Sequence, residues 1–282
     1  MCKISQIDLL DNLKLLVGGR FDTTEQSSLT FSTGERTSQS DSAFSPRVGI
    51  VYQPSKEISL YASYSTSFLP VIGRSADNSL FEPERGRQFE VGIKGDFLNG
   101  KLSTTLAAYH LTKTNILTTD RDNPDFSVQI GEARSQGIEF DIAGEILSGW
   151  KIIASYAYTD AKVTKDNNLL LQDSRLPGVP YNTASLWTIY EIQKGSLQGL
   201  GFGLGLFYVD EKPGFADFDP PGFKLPSYIR TDAAIYYRRN NWRIGLNIKN
   251  LFDKTYYDTF QGSDIVYPGA PFTVVGSFSV QF

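Results

Sequence analysis

The chain has 282 residues, with 27 Lys and Arg against 31 Asp and Glu for a net charge of −4, which excludes nucleic-acid binding through bulk positive charge. Aromatic residues at 13% and charged residues at 21% describe a chain that folds rather than a disordered one. The only Cys, Cys2, forbids an internal disulfide and a Cys-rich zinc site, and the only His, His110, forbids a His-cluster metal site and leaves a triad-type hydrolase a single imidazole.

Residues 1–8 carry no apolar h-region, so the chain as read starts without a secretory signal. No stretch approaches the roughly 18 apolar residues of a transmembrane helix. What recurs is a period of two. Strands are predicted over Leu13–Phe21, Ser45–Tyr52, Ile58–Phe68 and Arg87–Phe97, the last with Phe89, Val91, Ile93 and Phe97 on one face and Gln88, Glu90, Lys94 and Asp96 on the other. Leu102–Leu117 follows, then Ile138–Ile146, where Ile138, Phe140 and Ile142 oppose Glu139, Asp141 and Glu145. Trp150–Tyr158, Ala184–Ile192 and Leu200–Asp210 continue the series, the last setting Phe202, Leu204 and Leu206 against Gly201, Gly203 and Gly205. Ile229–Tyr237, Trp242–Ile248 (with Arg243 and Lys249 on the polar side) and the closing run to Phe282 complete about twelve strands.

The chain is therefore read as all-β. Its connections alternate between tight ones, at Pro54–Lys56, Asn99–Gly100, Ser148–Gly149, Gly195–Gly199 and Asn240–Asn241, and long polar ones, at 22–44, 69–85, 120–131, 165–180, 213–226 and 257–271. An antiparallel, up-and-down transmembrane β-barrel has this alternation, with short turns on the periplasmic side and long loops outside. About twelve strands enclose too wide a space for side chains to fill. The polar face, with Glu90, Lys94, Asp96, Glu139, Asp141, Glu145, Arg243 and Lys249, is thus expected to line the lumen, and the apolar face to meet lipid. Trp150 and Trp242 follow short turns directly, and Tyr64, Tyr156, Tyr158, Tyr208 and Tyr237 are read as lying near the opposite ends, where aromatic girdles sit.

Six stretches go further: Leu16-Val-Gly-Gly-Arg-Phe-Asp22, Phe44 to Pro54, Glu82 to Lys94 (EPERGRQFEVGIK), Gly131 to Asp141 (GEARSQGIEFD), Asn250-Leu-Phe-Asp-Lys-Thr-Tyr-Tyr257, and Pro268 to Thr273 leading to Phe282. In this order they resemble the TonB-dependent outer-membrane siderophore receptors, in their C-terminal β-barrel portion. The resemblance implies an outer-membrane receptor and transporter of a Gram-negative-type bacterium, not an enzyme. Its ligand would be a ferric siderophore, with no resident cofactor. Its partners would be lipid, the barrel-assembly machinery reading the terminal aromatic Phe282, and an energy-transducing system acting through a plug domain. Such barrels have 22 strands and a plugged lumen. Residues 1–282 are accordingly expected to be a partial barrel, with roughly ten strands and the plug absent. A small independent barrel acting as a pore or structural protein is the alternative.

Ligand recognition is expected from loop aromatics, and the candidates are Phe81, Phe126, Phe218, Phe223, Tyr257, Phe260 and Tyr267. Each has the plainer alternative of packing against its own loop. His110, on a strand without a neighbouring carboxylate, is read as a wall or interface residue. Asp120, Asp122 and Asp125 lack the glycine and terminal glutamate of a calcium loop, and Gly201, Gly203 and Gly205 lie in a strand with no helix after them, so they are read as small inward residues.

Overall fold

The computed structural model describes residues 2–32, 34–217 and 219–281. Among them there is no helix, and the strands in chain order are β1 (Cys2–Leu10), β2 (Leu13–Thr30), β3 (Glu35–Tyr52), β4 (Ile58–Leu69), β5 (Glu84–Phe97), β6 (Leu102–Thr119), β7 (Ser127–Leu147), β8 (Trp150–Lys165), β9 (Asn182–Glu191), β10 (Leu200–Val209), β11 (Lys212–Pro213), β12 (Lys224–Leu225), β13 (Tyr228–Arg239), β14 (Trp242–Lys249), β15 (Tyr257–Phe260), β16 (Val266–Pro268) and β17 (Thr273–Val280). Thirteen form one sheet in the order β1 to β10, β13, β14, β17, while β11–β12 and β15–β16 are separate two-stranded ribbons inside long loops. Successive strands of the sheet are therefore neighbours, which is the up-and-down arrangement expected. Compact packing divides the chain into two units: Met1–Ile93 with Ala108–Gly137 and Asp160–Leu176, and Lys94–Ala107 with Ile138–Thr159 and Pro177–Phe282.

Four expectations need correction. The sheet has thirteen strands because Cys2–Leu10 pairs antiparallel with β2, from Cys2↔Arg20 to Leu10↔Leu13. That strand hid from a periodicity reading because Ile4 and Ile7 fall on opposite faces and Leu9 and Leu10 are consecutive at a register shift, so its pattern does not alternate. The long loop expected over 22–44 is mostly strand: β2 and β3 stay in register past Phe21↔Phe44 up to Thr30↔Glu35. The segment is rich in Ser, Thr and Gln, so both its faces are polar and alternation disappears although the ladder does not. Strict alternation of short and long connections fails at the same place, since only 31–34 joins those two strands. Finally, Tyr237 lies at the short-turn end beside Trp242, their rings 5.7 Å apart and edge to face, because β13 runs from the long loop towards the turn at Asn240.

Burial is inverted relative to a water-soluble sheet. In the first unit Phe89 and Val91 are both 55% exposed, while Glu90 between them is half-buried and accepts hydrogen bonds from Tyr61 Oη at 2.7 Å and Gln88 Nε2 at 2.9 Å. Val48 stands opposite Tyr64 on this apolar face, and Tyr64 packs on Phe89 with ring centroids 4.8 Å apart. In the second unit the register stacks Tyr190, Phe202, Ile235 and Leu246 across four strands, all on the exposed side. Ile138, Phe140, Leu204 and Ile244 are exposed as well. Among the described residues Leu225, in a loop ribbon, is the only Leu, Ile or Val that is buried. The strands' apolar area is thus not collected into a core, and the pairing ladders hold the sheet.

The glycine face of β10 is filled by rings from its neighbours. A Cβ on Gly205 would sit 2.5 Å from the Trp187 ring, and one on Gly201 would sit 2.2 Å from the Tyr236 ring. Further along the sheet, Gly144 in β7 has φ +153°, and a Cβ there would lie 2.0 Å from the backbone oxygen of Lys101, which accepts the Glu145 amide at 2.8 Å. Alanine fits neither the dihedral nor the gap. Gly144→Ala is expected to lower the unfolding midpoint in a urea titration by an amount worth about 1–3 kcal/mol, and an unchanged midpoint would contradict this close approach.

Candidate functional site

The long loops carry the candidate aromatics, Phe81 and Phe126 in the first unit and Phe223, Tyr257, Phe260 and Tyr267 in the second. In the first, the segment after β4 and the β6–β7 loop enclose a cavity of about 660 Å³ lined by residues that include Asp77, Leu80, Phe81, Asp120, Asn123 and Gln129. Short turn hydrogen bonds build it. Asp77 accepts from Ser75 Oγ at 2.5 Å and from the Ser79 amide at 3.2 Å, and Asp120 accepts from the Asp122 amide at 2.9 Å and Asn123 Nδ2 at 3.3 Å. The Ser75 hydroxyl holds the Asp77 carboxyl below the usual carboxylate range, and the Asp122 amide does the same for Asp120. Gln129 ties the two loops together: its side chain accepts from the Glu82 amide at 2.6 Å and donates to the Glu82 carbonyl at 2.5 Å and the Asn115 carbonyl at 3.2 Å.

Phe81 and Phe126 play different parts here. Phe81 is 7% exposed, its ring lies against Gly73, and its carbonyl accepts from Gln39 Nε2 at 2.7 Å. It anchors the loop. Phe126 is exposed at the loop tip, where its backbone closes the turn through the Asp120 and Asn123 bonds at 2.9 Å each.

In the second unit the same division appears. Phe215, Phe223 and Phe260 form a small aromatic cluster, with Phe260 edge-on to the other two at 5.7 and 5.6 Å. Asp219 braces it by accepting the Phe215 amide at 2.7 Å and the Ser263 amide at 2.5 Å. Tyr257 and Tyr267 on the β15–β16 ribbon stay exposed. Phe218 and Phe282 lie outside the described residues.

The Asn250–Asp253 stretch turns out to be a structural knot. Asn250 is 1% exposed with φ +51°. Its amide donates to Asp232 Oδ1 at 2.8 Å, its Nδ2 donates to the Lys254 and Ala270 carbonyls at 2.9 and 3.1 Å, and its Oδ1 accepts the Lys254 amide at 2.8 Å. Asp253 Oδ1 accepts the Phe272 amide at 2.8 Å. Both feet of the loop carrying Tyr257 and Tyr267 are therefore clamped to the end of β14. Asp232 is held in turn by Arg230 at 3.0 Å, and the Arg230 guanidinium lies 4.5 Å from the Phe207 ring centre.

On the polar face of the second unit, Glu145 accepts the Gly149 amide at 3.1 Å, and the Arg243 guanidinium lies 4.0 Å from the centre of the Tyr236 ring. These two join Lys151, Glu191, Tyr236 and Arg238 around a cavity of about 380 Å³ near the short turns. Glu191 is the hub, accepting from Tyr236 Oη at 3.1 Å and Arg238 at 2.6 Å, and sequence reading missed it. The signal was Gly201, which stands between Glu191 and Tyr236 in the register and leaves room for the ring to cross. Lys94, Asp96, Glu139, Asp141 and Lys249 are exposed. His110 is exposed too, with Thr112 Oγ1 3.5 Å from its ring nitrogen.

Against known proteins, the sequence model of the family described as "TonB dependent receptor-like, beta-barrel" matches residues 5–251. The metal-pseudopaline receptor CntO of Pseudomonas aeruginosa is 38% identical over 98% of this chain and 40% of its own length. The ferrichrome outer membrane transporter/phage receptor of Escherichia coli K12 is 33% identical over 96% of this chain and 36% of its own. Among solved structures, the siderophore receptor PiuA of Acinetobacter baumannii superposes with a TM-score of 0.80 at 29% identity, covering 97% of this chain and 40% of that one. The chain spans about two fifths of the length of these relatives.

Two outcomes follow from the geometry. Asn250→Ala removes three buried side-chain hydrogen bonds, so it is expected to cost roughly 2–4 kcal/mol and to accelerate amide exchange at Lys254; unchanged exchange would remove the clamp. Because both loop carboxyls titrate lower in the folded protein, their stabilisation is complete above the ordinary Asp range and is lost as pH falls through it and below. Amide protection at Ser79 and Asp122 should therefore hold between about pH 5 and 8 and fall below about pH 4; protection that is flat to acid would show that these turns do not depend on the carboxylates.

Proposed function

The chain belongs to the TonB-dependent receptor β-barrel family, and we propose that it forms the C-terminal part of the barrel of a receptor for ferric siderophores or closely related metal chelates. Outer-membrane location follows from the family. The observation that carries the proposal is coverage: relatives that are siderophore or metallophore receptors match almost the whole of this chain while it accounts for about 40% of theirs. In this reading the plug lies outside residues 1–282, and energy from the TonB system reaches the receptor through it.

The two faces then divide the work. The exposed apolar face meets lipid, and the opposite face, with Glu90, Lys94, Asp96, Glu139, Asp141, Glu145, Arg243 and Lys249, lines the lumen and receives the plug. Ligand contact falls to the aromatics that the loops leave open, Phe126, Tyr257 and Tyr267, which can stack on or donate to a bulky chelate. Phe81, Phe223 and Phe260 serve by holding those loops in shape. The terminal Phe282 is the residue for the assembly machinery to read.

The test uses a receptor-deficient Gram-negative host expressing this chain behind a signal peptide. Spin labels at Val91 and Glu90 should report lipid and lumen respectively, and the reverse would sink the assignment of faces. Labelled hydroxamate and catecholate ferric siderophores should bind weakly at the cell surface, less so after Tyr257→Ala with Tyr267→Ala, and should not be accumulated in an energy-dependent way. Active uptake above the empty-vector control would overturn the dependence on a separate plug, and binding indifferent to both tyrosines would overturn the recognition surface.

A further inference from the structure

The apolar face of the second unit is interrupted where β13, β14 and β17 run side by side. Down that face the register pairs Trp242 with Val280, Ile244 with Phe278 and Leu246 with Gly276. Gly276, on the edge strand β17, has no side chain to fill the last position. The result is a notch of about 560 Å³ walled by Leu200, Ile235, Tyr237, Ile244, Leu246 and Phe278. From Trp242 to Leu246 is four residues, about 14 Å along the strands. At a 45° tilt that is about 10 Å of depth, within one leaflet of a hydrocarbon core about 30 Å thick.

At its short-turn end the notch does not stop at a flat surface. Tyr237 also borders a second, polar cavity of about 550 Å³ whose lining includes Glu191, Gln198, Arg238, Arg239, Asn240 and Gln281. Arg239 shares the apolar face with Tyr237 and is paired in the register with Trp242. It is exposed, and among the described residues no carboxylate lies at ion-pair distance from it. Its neighbour Arg238 is on the opposite face and is taken by Glu191 at 2.6 Å. Tyr237 lines both cavities, and the Trp242 ring stands edge to face with it at 5.7 Å.

An apolar slot lying within one leaflet, an aromatic pair at one end and a guanidinium with no carboxylate at ion-pair distance among the described residues together match an amphiphile with an apolar tail and a negative head. We propose that this surface seats one anionic phospholipid of the periplasmic leaflet, with an acyl chain in the notch at Gly276 and the phosphate held by Arg239 with Asn240 and Gln198 as further donors. The proposal rests on the apolar face meeting lipid, and it adds a defined site to what would otherwise be a featureless belt. Charge decides between headgroups: a zwitterionic lipid brings its own cation to Arg239, whereas phosphatidylglycerol brings none.

The chain reconstituted in phosphatidylcholine vesicles containing a minor fraction of phosphatidylglycerol, then extracted in mild detergent, provides the measurement. Mass spectrometry of the folded protein should find phosphatidylglycerol retained about fivefold above its share of the vesicle. Arg239→Gln, a change at an exposed turn-end position, should return the retained lipids to the vesicle ratio. Gly276→Leu should reduce retention of both phospholipids by filling the notch. Wild-type retention at the vesicle ratio, or a preference that survives Arg239→Gln, overturns the proposal whether or not Gly276→Leu folds. The Val91 spin label in the same vesicles separates the two levels: a label in lipid with no headgroup preference defeats the site alone, and a label out of lipid defeats the assignment of faces with it.

Discussion

Every backbone N–H and C=O that enters a lipid bilayer must find its partner within the protein, because the hydrocarbon offers none. In this chain the ladders meet that demand between neighbouring strands of the thirteen-stranded sheet, whose edge strands β1 and β17 are each paired on one side, and much else is subordinate to keeping the ladders intact. It explains why the apolar residues are not gathered into a core: a wall one strand thick has no interior, so the large apolar side chains lie on its exposed side. It also explains the glycines of β10. Their absent side chains let Trp187 and Tyr236 lie flat on the polar face, so that bulky rings are accommodated without pushing neighbouring backbones apart.

The parts of the fold legible in the sequence are those where this demand coincides with contrast between two environments. Phe89, Val91 and Ile93 against Gln88 and Glu90 read as a strand because one face is apolar and the other is not. The ribbon beyond Phe21 and Phe44 is just as regular in its pairing, yet its two faces are both polar and nothing in its composition marks the period. The β1 strand fails for the opposite reason, having apolar residues on both sides. Hydropathy reports the difference between surroundings and is silent about a ladder whose two faces share one. Contacts between distant strands were less legible still. Glu191 and Arg238 meet only because two registers, β9 to β10 and β10 to β13, bring their strands together in the sheet, and no local pattern encodes that sum. The loop aromatics show a third kind of silence, since Phe223 and Tyr267 are equally aromatic in the sequence but one is packed in a cluster and the other open.

The loops thus separate two jobs that their composition confuses. Some rings and carboxylates give each loop a fixed shape: Phe81 against Gly73, Asp219 under the Phe215 cluster, Asp77 in its serine turn. Others, Phe126, Tyr257 and Tyr267, stand exposed outside that framework. Turns closed by carboxylates and packed rings are preorganised, so the exposed rings project from a fixed frame.

The clamp at Asn250 has a consequence for how such a protein can change. It joins the end of β14 to Lys254 and Ala270, while Asp253 reaches Phe272, so the segment between these feet is mechanically insulated from the sheet. Above the clamp the same segment leans on the loop that carries Phe215, through Phe260 in the aromatic cluster and the Ser263 amide on Asp219. What can vary between Tyr256 and Gly269 without disturbing the wall is therefore bounded on two sides, by the clamp at its feet and by the neighbouring loop at its crest.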